Sequence, residues 1–247
     1  MYTQPARQPV AKLCRFSLIW LLLIVFGLGQ NRGLAQTDKT AKPQTPTAAE
    51  VSEARERLAQ LGYWVNPDGE AAEPSLRHAL IAFQKIAGRP RTGVLTAEEL
   101  QALRTAQPPV PRESGSPHIE IDLCRQVLFL VEVGEVSLRT LPVSTGSGAC
   151  FTEGGRTRRA ITPLGRFSIQ RKLKGWRKSP LGLLYYPNYV TGGVAIHGNP
   201  AVPAQPASHG CIRIPMFAAQ AFSELATIGL KVYIYDSSQP PPAPDQP

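Results

Sequence analysis

The chain has 247 residues, a formal net charge of +9 and a hydrophobic fraction of 43%. This length accommodates one medium domain and one small domain, and the hydrophobic fraction is enough to bury a core, which excludes a chain that is disordered throughout. Glycine (21 residues) and proline (24 residues) are abundant. Their frequency favours a loop-rich β protein with proline-containing linkers.

A short apolar segment lies close to the N-terminus. Residues 16–29 carry no charge and follow three basic residues, Arg7, Lys12 and Arg15. A membrane-spanning helix needs about 20 apolar residues, so this segment is too short for a comfortable span. Small residues follow up to Ala35, and we predict a secretory signal over residues 1–35. The alternative is an uncleaved signal anchor, which would be the chain's contact with the membrane. In both cases we expect export, to the periplasm or cell wall.

Three amphipathic segments predict a small helical domain. Residues 36–46 are polar and contain prolines, which is typical of a linker. Residues 47–106 follow with helical periodicity. Thr47 begins the first helix with a capping-box pattern, the second helix begins near Pro74, and the third begins at Thr96.

This three-helix domain resembles the peptidoglycan-binding module that accompanies many cell-wall enzymes. The matching features are L-x-x-L-G at residues 58–62, Asp68-Gly69, Ala79 with Phe83-Gln84, and Gly93 before Thr96. The resemblance implies that the domain binds the glycan of peptidoglycan. The alternative is a folded spacer with no binding role.

The rest of the chain has the pattern of a β protein. Residues 107–117 are rich in proline and predict a linker. Residues 118–236 form short alternating strands that begin with an antiparallel meander, with one helix over residues 215–226. Residues 237–247 predict a disordered tail. The expected fold class is therefore a mainly β domain with a short helix, preceded by the small three-helix domain.

Three cysteines follow the predicted signal: Cys124, Cys150 and Cys211. An odd number in an exported protein implies one disulfide and one free thiol, or three free thiols. Cys124 lies at the first turn of the meander, and the antiparallel third strand returns to that edge before the loop that carries Cys150. We therefore predict a Cys124–Cys150 disulfide, with two free thiols as the alternative.

Two histidines and one cysteine lie within residues 196–214: His197, His209 and Cys211. A cysteine attacks an acyl carbon as the thiolate, which a nearby imidazole helps to form. Neighbouring glycines leave backbone N–H groups uncovered for a developing oxyanion. Two alternatives remain open. Cys and His are also zinc ligands, and a free cysteine is often a small buried side chain.

The β domain resembles the L,D-transpeptidase catalytic (YkuD) domain. The motifs that carry the resemblance are I-x-[IV]-D-L-x-x-Q at residues 119–126, P-V-S-T-G at 142–146, T-P-x-G-x-F at 162–167, S-H-G-C-I-R at 208–213 and G-x-K-V-x-I-Y at 229–235. The resemblance implies a β-sandwich. It also implies an enzyme that acts on peptidoglycan stem peptides through a cysteine acyl-enzyme, without a cofactor.

The same resemblance implies a role for each residue of the catalytic motif. Cys211 would be the nucleophile and His197 the general base. His209 would be a second histidine that orients or polarises the substrate. The backbone N–H groups of Gly210 and Cys211 would be the oxyanion donors.

Arg213 and Ser208 complete the predicted site. Arg213 would bind a substrate carboxylate, for which the alternative is a structural salt bridge. Ser208 would contribute to substrate binding or act as a hydrogen-bond partner in a turn. None of these roles requires a metal ion.

A strongly basic segment precedes the site in sequence. Residues 154–178 contain nine Lys or Arg and no acidic residue. Such a segment is often a nucleic-acid interface. The expected export and the lack of a nucleic-acid-binding motif in the sequence argue against nucleic acid as a partner. Two interpretations remain: electrostatic steering of carboxylate-bearing stem peptides, and a solvated edge of the sheet.

The expected function is therefore L,D-transpeptidation of peptidoglycan stem peptides, in cell-wall cross-linking or remodelling. One alternative is an L,D-carboxypeptidase or hydrolase that uses water as the acceptor. The other is a non-catalytic protein that binds the cell wall.

Overall fold

A computed structural model describes residues 45–66, 69–70, 72–115, 117–132 and 138–239. The described residues belong to one compact unit. The predicted signal or anchor lies outside them, as do most of the first linker and most of the C-terminal tail. No helix in these described ranges is long and apolar enough to cross a membrane.

The N-terminal part of the described chain is helical, as predicted. Its helices are α1 (Ala48–Gln60), α2 (Ala72–Ile86) and α3 (Ala97–Thr105). The predicted capping box begins α1: Thr47 Oγ1 accepts the N–H of Glu50 at 3.3 Å, and the Glu50 carboxylate accepts the N–H of Thr47 at 2.8 Å. Thr96 caps α3 in the same way by accepting the N–H of Glu99. The second helix begins two residues before Pro74, which lies in its first turn.

Short strands make up most of the second part of the chain. In chain order the described elements are β1 (His118–Asp122), β2 (Val127–Val131), β3 (Leu138–Pro142), β4 (Cys150–Glu153), β5 (Arg156–Arg159), β6 (Gly165–Ser168), β7 (Arg171–Lys172), β8 (Trp176–Ser179), β9 (Gly182–Thr191), β10 (Val194–Asn199), β11 (Ile212–Pro215), α4 (Met216–Leu225) and β12 (Lys231–Tyr235). The predicted late helix is therefore present as α4.

Two larger sheets and one hairpin contain these strands. The first sheet has the order β3-β2-β1-β12-β6, and the second has the order β11-β10-β9-β7, with β8 paired to β9. The predicted antiparallel meander is confirmed in β1, β2 and β3. Strand β12 returns to pair with β1 in parallel, and β4 pairs with β5. Residues of both larger sheets and of α4 form one apolar cluster, which includes Ile119, Ile121, Ile196, Ile214 and Phe222.

Strand β2 is buried along its whole length. Leu128 and Leu130 contribute to the cluster that both sheets share. The opposite side of the strand packs against Ile86 of α2 through Val127, Phe129 and Val131. Successive side chains of a strand point to opposite faces of the sheet, so the helical domain covers the face that the shared cluster does not use.

The helical domain also forms a backbone bridge to β3. Thr140 donates its N–H to the Gly62 carbonyl at 2.7 Å and accepts the N–H of Trp64 at 3.1 Å. The Trp64 side chain joins the apolar cluster of the β domain, and the guanidinium of Arg139 lies 5.0 Å from the centre of its ring. The two domains are thus packed together through backbone and side chains.

The predicted second linker is held against β1. The carboxylate of Glu120 is buried and accepts the backbone N–H of Arg112 at 2.8 Å and of Glu113 at 2.7 Å. It also accepts the hydroxyl of Tyr235 at 2.8 Å. A buried carboxylate needs such donors, and these bonds fix the path of residues 112 and 113.

The predicted Cys124–Cys150 disulfide is wrong. Cys150 is an exposed free thiol at the start of β4. Strand β3 does return to the edge near the turn that holds Cys124. The chain then crosses to the second sheet, where Ser144 exchanges backbone hydrogen bonds with Arg213. Strand β4, which begins at Cys150, follows this crossing and pairs with β5 instead of with the meander.

Candidate active site

Strands β10 and β11 bring His197, Cys211 and Arg213 together. The two strands are parallel, and His197 lies opposite Arg213 in their register. Cys211 precedes Arg213 by two residues, and side chains two residues apart in an extended chain point to the same side. The three side chains accordingly line one cleft of about 510 Å³.

The loop that leads into Cys211 is fixed from within. The hydroxyl of Ser208 accepts the N–H of Gly210 at 3.0 Å and donates to the carbonyl oxygen of Cys211 at 2.6 Å. Gly210 has a φ of +137°, and a Cβ atom there would lie 2.9 Å from the carbonyl oxygen of Ile161. Glycine is therefore required at this position, both by backbone conformation and by space.

These contacts correct two of the predicted roles. The N–H of Gly210 is engaged with Ser208, so it is not available as an oxyanion donor, and the Cys211 N–H is the predicted donor that remains. The Ser208 side chain is buried and makes both of its hydrogen bonds inside the loop. Ser208 therefore acts in the turn, and the prediction that it binds substrate is not supported.

The imidazole of His197 is buried, and its Nδ1 side is held by the backbone. Its Nδ1 atom lies 2.9 Å from the carbonyl oxygen of Gly198. A carbonyl oxygen can only accept, so Nδ1 carries the hydrogen and Nε2 keeps a free lone pair. The pKa of His197 is lowered to about 4, mainly by burial; the hydrogen bond with the Gly198 backbone opposes this effect, and the positive charge of Arg213 adds to it. The imidazole is therefore neutral at physiological pH and can accept a proton.

The thiol of Cys211 is in its neutral form at rest. Burial raises the pKa of the Cys211 thiol, an effect that a hydrogen bond from the Ala195 backbone and the charge of Arg213 partly offset. The sulfur lies 3.7 Å from the carbonyl oxygen of Gly193, to which it can donate. A neutral thiol and a neutral imidazole in one cleft require that the proton moves when the sulfur attacks.

His209 occupies a different position from His197. Its side chain is exposed and lines the same cleft. Its ring centroid lies 4.7 Å from that of Phe151, with the two rings inclined by 62°. The position allows contact with a bound ligand and is consistent with the predicted role in orienting the substrate.

The charged residues of the cleft are predominantly basic. Its basic residues are Arg158, Arg159, Arg177, Lys178 and Arg213. Arg158 is paired with Glu153 at 3.4 Å. No acidic partner of Arg213 is found among the described residues. The salt-bridge alternative for Arg213 is thus not supported, and its half-buried guanidinium is available for a ligand carboxylate.

Thr162 has a supporting role that the sequence did not reveal. Its hydroxyl donates to the Gly210 carbonyl at 2.7 Å and accepts the N–H of Gly146 at 2.9 Å. Both glycines are tightly packed, since a Cβ atom at Gly146 would lie 2.5 Å from the Ala160 carbonyl oxygen. The T-P-x-G-x-F and P-V-S-T-G motifs contain Thr162 and Gly146, but nothing in the sequence indicates that the two motifs meet at the catalytic loop.

The zinc alternative lacks a ligand set. Within the described residues, no three His, Cys, Asp or Glu side chains are grouped so that they could hold a metal ion. His197, His209 and Cys211 line one cleft but do not form such a group.

The sequence matches two protein families. Residues 116–234 match the YkuD family, described as the L,D-transpeptidase catalytic domain. Residues 47–103 match the PG_binding_1 family, described as a peptidoglycan binding domain. No curated protein matches the chain significantly.

One solved structure of an L,D-transpeptidase resembles the chain over most of its length. A segment of an L,D-transpeptidase from Xylanimonas cellulosilytica is 37% identical and covers 80% of this chain and 100% of its own, with a TM-score of 0.71. An L,D-transpeptidase from Stackebrandtia nassauensis is 21% identical and covers 79% of this chain and 97% of its own, with a TM-score of 0.45. On the first of these similarities and on the two family matches, the chain belongs to the L,D-transpeptidase family, with a peptidoglycan-binding domain before a YkuD catalytic domain.

Proposed function

We propose that the protein is a cysteine-dependent L,D-transpeptidase that cross-links or remodels peptidoglycan stem peptides. The observation that carries this proposal is the cleft that Cys211, His197 and Arg213 line together, in which Arg213 has no acidic partner from the part of the chain that the structure describes. It provides a nucleophile, a neutral base and a carboxylate-binding group on one face of two adjacent strands. The remaining basic residues of the cleft favour the approach of carboxylate-bearing peptides.

The first half-reaction transfers an acyl group to the sulfur. His197 Nε2 accepts the Cys211 thiol proton as the sulfur attacks the carbonyl carbon between an L-centre and the terminal D-residue of a tetrapeptide stem. The C–N bond then breaks, and the D-amino acid leaves with the proton that His197 returns. Arg213 holds a carboxylate of the donor peptide, and the N–H of Cys211 faces the developing oxyanion.

The second half-reaction transfers the acyl group to an amine of another stem peptide. His197 accepts a proton from the attacking amine, and the C–S bond breaks to restore the thiol. If water replaces the amine, the same site acts as an L,D-carboxypeptidase. The basic residues at the cleft supply charge complementarity for peptide acceptors as well as for donors, which favours transfer over hydrolysis.

Peptidoglycan is the proposed partner of both domains. The helical domain would bind the polymer while the β domain acts on its peptides, and this arrangement requires export of the chain. We propose a signal that is cleaved after Ala35. Sequencing the N-terminus of the protein recovered from the cell envelope tests this point, since an uncleaved anchor would leave residues 1–35 in place.

The reaction is tested with a purified disaccharide-tetrapeptide and product analysis by mass spectrometry. We expect a cross-linked dimer together with the released D-amino acid. A disaccharide-tripeptide alone would support hydrolysis instead. If the wild-type protein forms neither product, the proposed activity is wrong.

Two cysteine variants provide the mechanistic control. Cys211→Ala should abolish both products, whereas Cys150→Ser, which removes the exposed thiol on β4, should leave them unchanged. Full activity of Cys211→Ala would exclude the acyl-enzyme. Loss of wild-type activity on chelation, with recovery on addition of zinc, would support the metal alternative.

A further inference from the structure

A buried lysine of the helical domain reaches into the β domain. Lys85 lies near the end of α2 and is 2% exposed. Its Nζ atom lies 2.9 Å from the carbonyl oxygen of Gln126 and 2.9 Å from that of Val143. Lysine is rarely buried unless its amine is well hydrogen-bonded. Both acceptors here belong to the other domain.

The two acceptors lie where β2 begins and β3 ends. The N–H of Val143 also donates to the Gln126 carbonyl, at 2.9 Å. The amine of Lys85 therefore completes a junction between the start of β2 and the chain that leaves β3. It supplies a donor to the Val143 carbonyl at the point where the chain leaves the first sheet.

The segment after Val143 supports the catalytic loop. Ser144 exchanges two backbone hydrogen bonds with Arg213, at 3.1 and 3.0 Å. The carbonyl of Thr145 accepts the N–H of Ala207 at 3.0 Å and of Ser208 at 2.9 Å. The backbone of residues 144 and 145 is thus bonded to both sides of Cys211.

Gln126 links the lysine to this segment a second time. Its carbonyl oxygen accepts from Lys85, and its side chain pairs with Thr145: the Thr145 N–H donates to Oε1 at 2.9 Å, and Nε2 donates to Thr145 Oγ1 at 2.7 Å. The path from Lys85 to the catalytic loop therefore has two branches, one through Val143 and one through Gln126.

We propose that Lys85 is a positioning residue of the active site, which acts from the peptidoglycan-binding domain by fixing the backbone segment that holds the Cys211 loop. The binding domain is then a structural part of the catalytic machinery. The inference rests on the proposed function only in taking Cys211 as the reacting group.

The neighbouring residue Gln84 provides a matched control. It lies on the same helix, is fully buried and also makes two side-chain hydrogen bonds, one to Thr92 Oγ1 at 3.2 Å and one from the Gly93 N–H at 2.8 Å. Both of these bonds stay inside the helical domain. The variants Lys85→Met and Gln84→Met therefore remove comparable groups, but only the first removes bonds that cross between the domains.

The first measurement is amide hydrogen exchange in the full-length variants, which requires no substrate. In Lys85→Met we expect exchange at Ser144 and Arg213 to accelerate by about tenfold or more, because local opening of that pairing becomes easier. Gln84→Met should leave these two amides at the wild-type rate. Equal protection of Ser144 and Arg213 in both variants would overturn the proposal.

The second measurement separates positioning from general destabilisation. With the disaccharide-tetrapeptide, Lys85→Met should lower kcat by about tenfold or more at a KM changed less than about twofold, since misplacement of the nucleophile affects the chemical step. Lys85→Gln retains an N–H2 donor and should have a higher kcat than Lys85→Met. If Lys85→Met proves too unstable to assay, the kcat of Lys85→Gln is compared with that of the wild type instead. If Gln84→Met lowers kcat as much as Lys85→Met, or Lys85→Gln recovers nothing, Lys85 has no positioning role.

Failure of the proposed function can be distinguished from failure of this inference. A wild-type protein without activity, in which Lys85→Met still accelerates exchange at Ser144 and Arg213, would contradict the transpeptidase assignment alone. An active wild type with unchanged exchange in Lys85→Met would contradict the role of Lys85 alone.

Discussion

Thr162 donates its hydroxyl hydrogen to the carbonyl oxygen of Gly210 at 2.7 Å, and the same hydroxyl accepts the N–H of Gly146 at 2.9 Å. One side chain thereby ties the residue before the nucleophile to the segment on which the catalytic loop lies. Neither glycine can be replaced by a residue with a side chain without a clash, since a Cβ atom at either position would come within 2.9 Å of a backbone oxygen.

Removal of this hydroxyl should loosen the loop. Thr162→Val keeps the volume but leaves the Gly146 N–H and the Gly210 carbonyl without a partner, which should cost about 1–3 kcal/mol of unfolding free energy. Denaturant unfolding measures this loss, and the rate of Cys211 acylation should fall with it. Thr162→Ser retains the hydroxyl and serves as the control. A valine variant as stable as the serine variant would contradict the structural role.

His197 and His209 should differ in their importance for the reaction. His197→Gln removes the general base and should lower kcat by about 10²–10⁴-fold. His209→Gln changes an exposed ring that packs on Phe151, and we expect a smaller loss, mainly in KM. Steady-state kinetics with the disaccharide-tetrapeptide distinguish the two. Equal losses in kcat would show that His209 takes part in proton transfer.

The pH dependence of thiol alkylation reports the resting state of the catalytic pair. Burial raises the pKa of the Cys211 thiol and lowers the pKa of His197 to about 4, so both groups are neutral near pH 7. The rate of iodoacetamide alkylation should then keep rising with pH from 7 to about 9, because only the thiolate reacts. The measurement uses a Cys150→Ser background to remove the exposed thiol. A rate that is already constant from about pH 5 upward would indicate a thiolate–imidazolium pair instead.

The stability of the protein should increase with pH through the titration of Lys85. Burial, with a smaller effect of Arg91, lowers the pKa of Lys85 from 10.5 to about 7. Between these values the unfolded chain binds more protons than the folded chain, so the free energy of unfolding rises with pH, by at most about 1.4 kcal/mol per pH unit. Denaturant unfolding from pH 7 to 10 measures this slope, and Lys85→Met should reduce it. Identical slopes in wild type and variant would show that Lys85 does not titrate in this range.

Local patterns in the sequence were sufficient to predict the main elements. The capping box at Thr47 and the alternation of β1 and β2 depend on neighbours close in the chain, and the structure confirms both. His197 lies on β10 and Cys211 directly precedes β11, which pairs with β10 in parallel, and both side chains line one cleft.

The incorrect predictions concern contacts that the sequence does not specify. From the sequence motif alone, the N–H of Gly210 was expected to be free for an oxyanion. Whether it is free depends on the rotamer of Ser208, and in the structure this N–H donates to the Ser208 hydroxyl. The predicted Cys124–Cys150 disulfide is wrong because the chain crosses to the second sheet before it reaches Cys150. The contacts of Lys85 join residues 41 and 58 positions apart, a separation at which helix and strand periodicity carry no information.

Trp64 has a consequence for how this architecture can be divided or recombined. The indole belongs to the helical domain by sequence but to the core of the β domain by packing, and α2 covers the hydrophobic outer side of β2. A fragment that begins at the start of the YkuD match would lack this tryptophan. It would also expose Val127, Phe129 and Val131 to solvent as one contiguous apolar patch, which promotes aggregation. We therefore expect such a fragment to be insoluble when expressed alone, and a chimera that carries a foreign wall-binding module to fail unless that module brings an equivalent of Trp64.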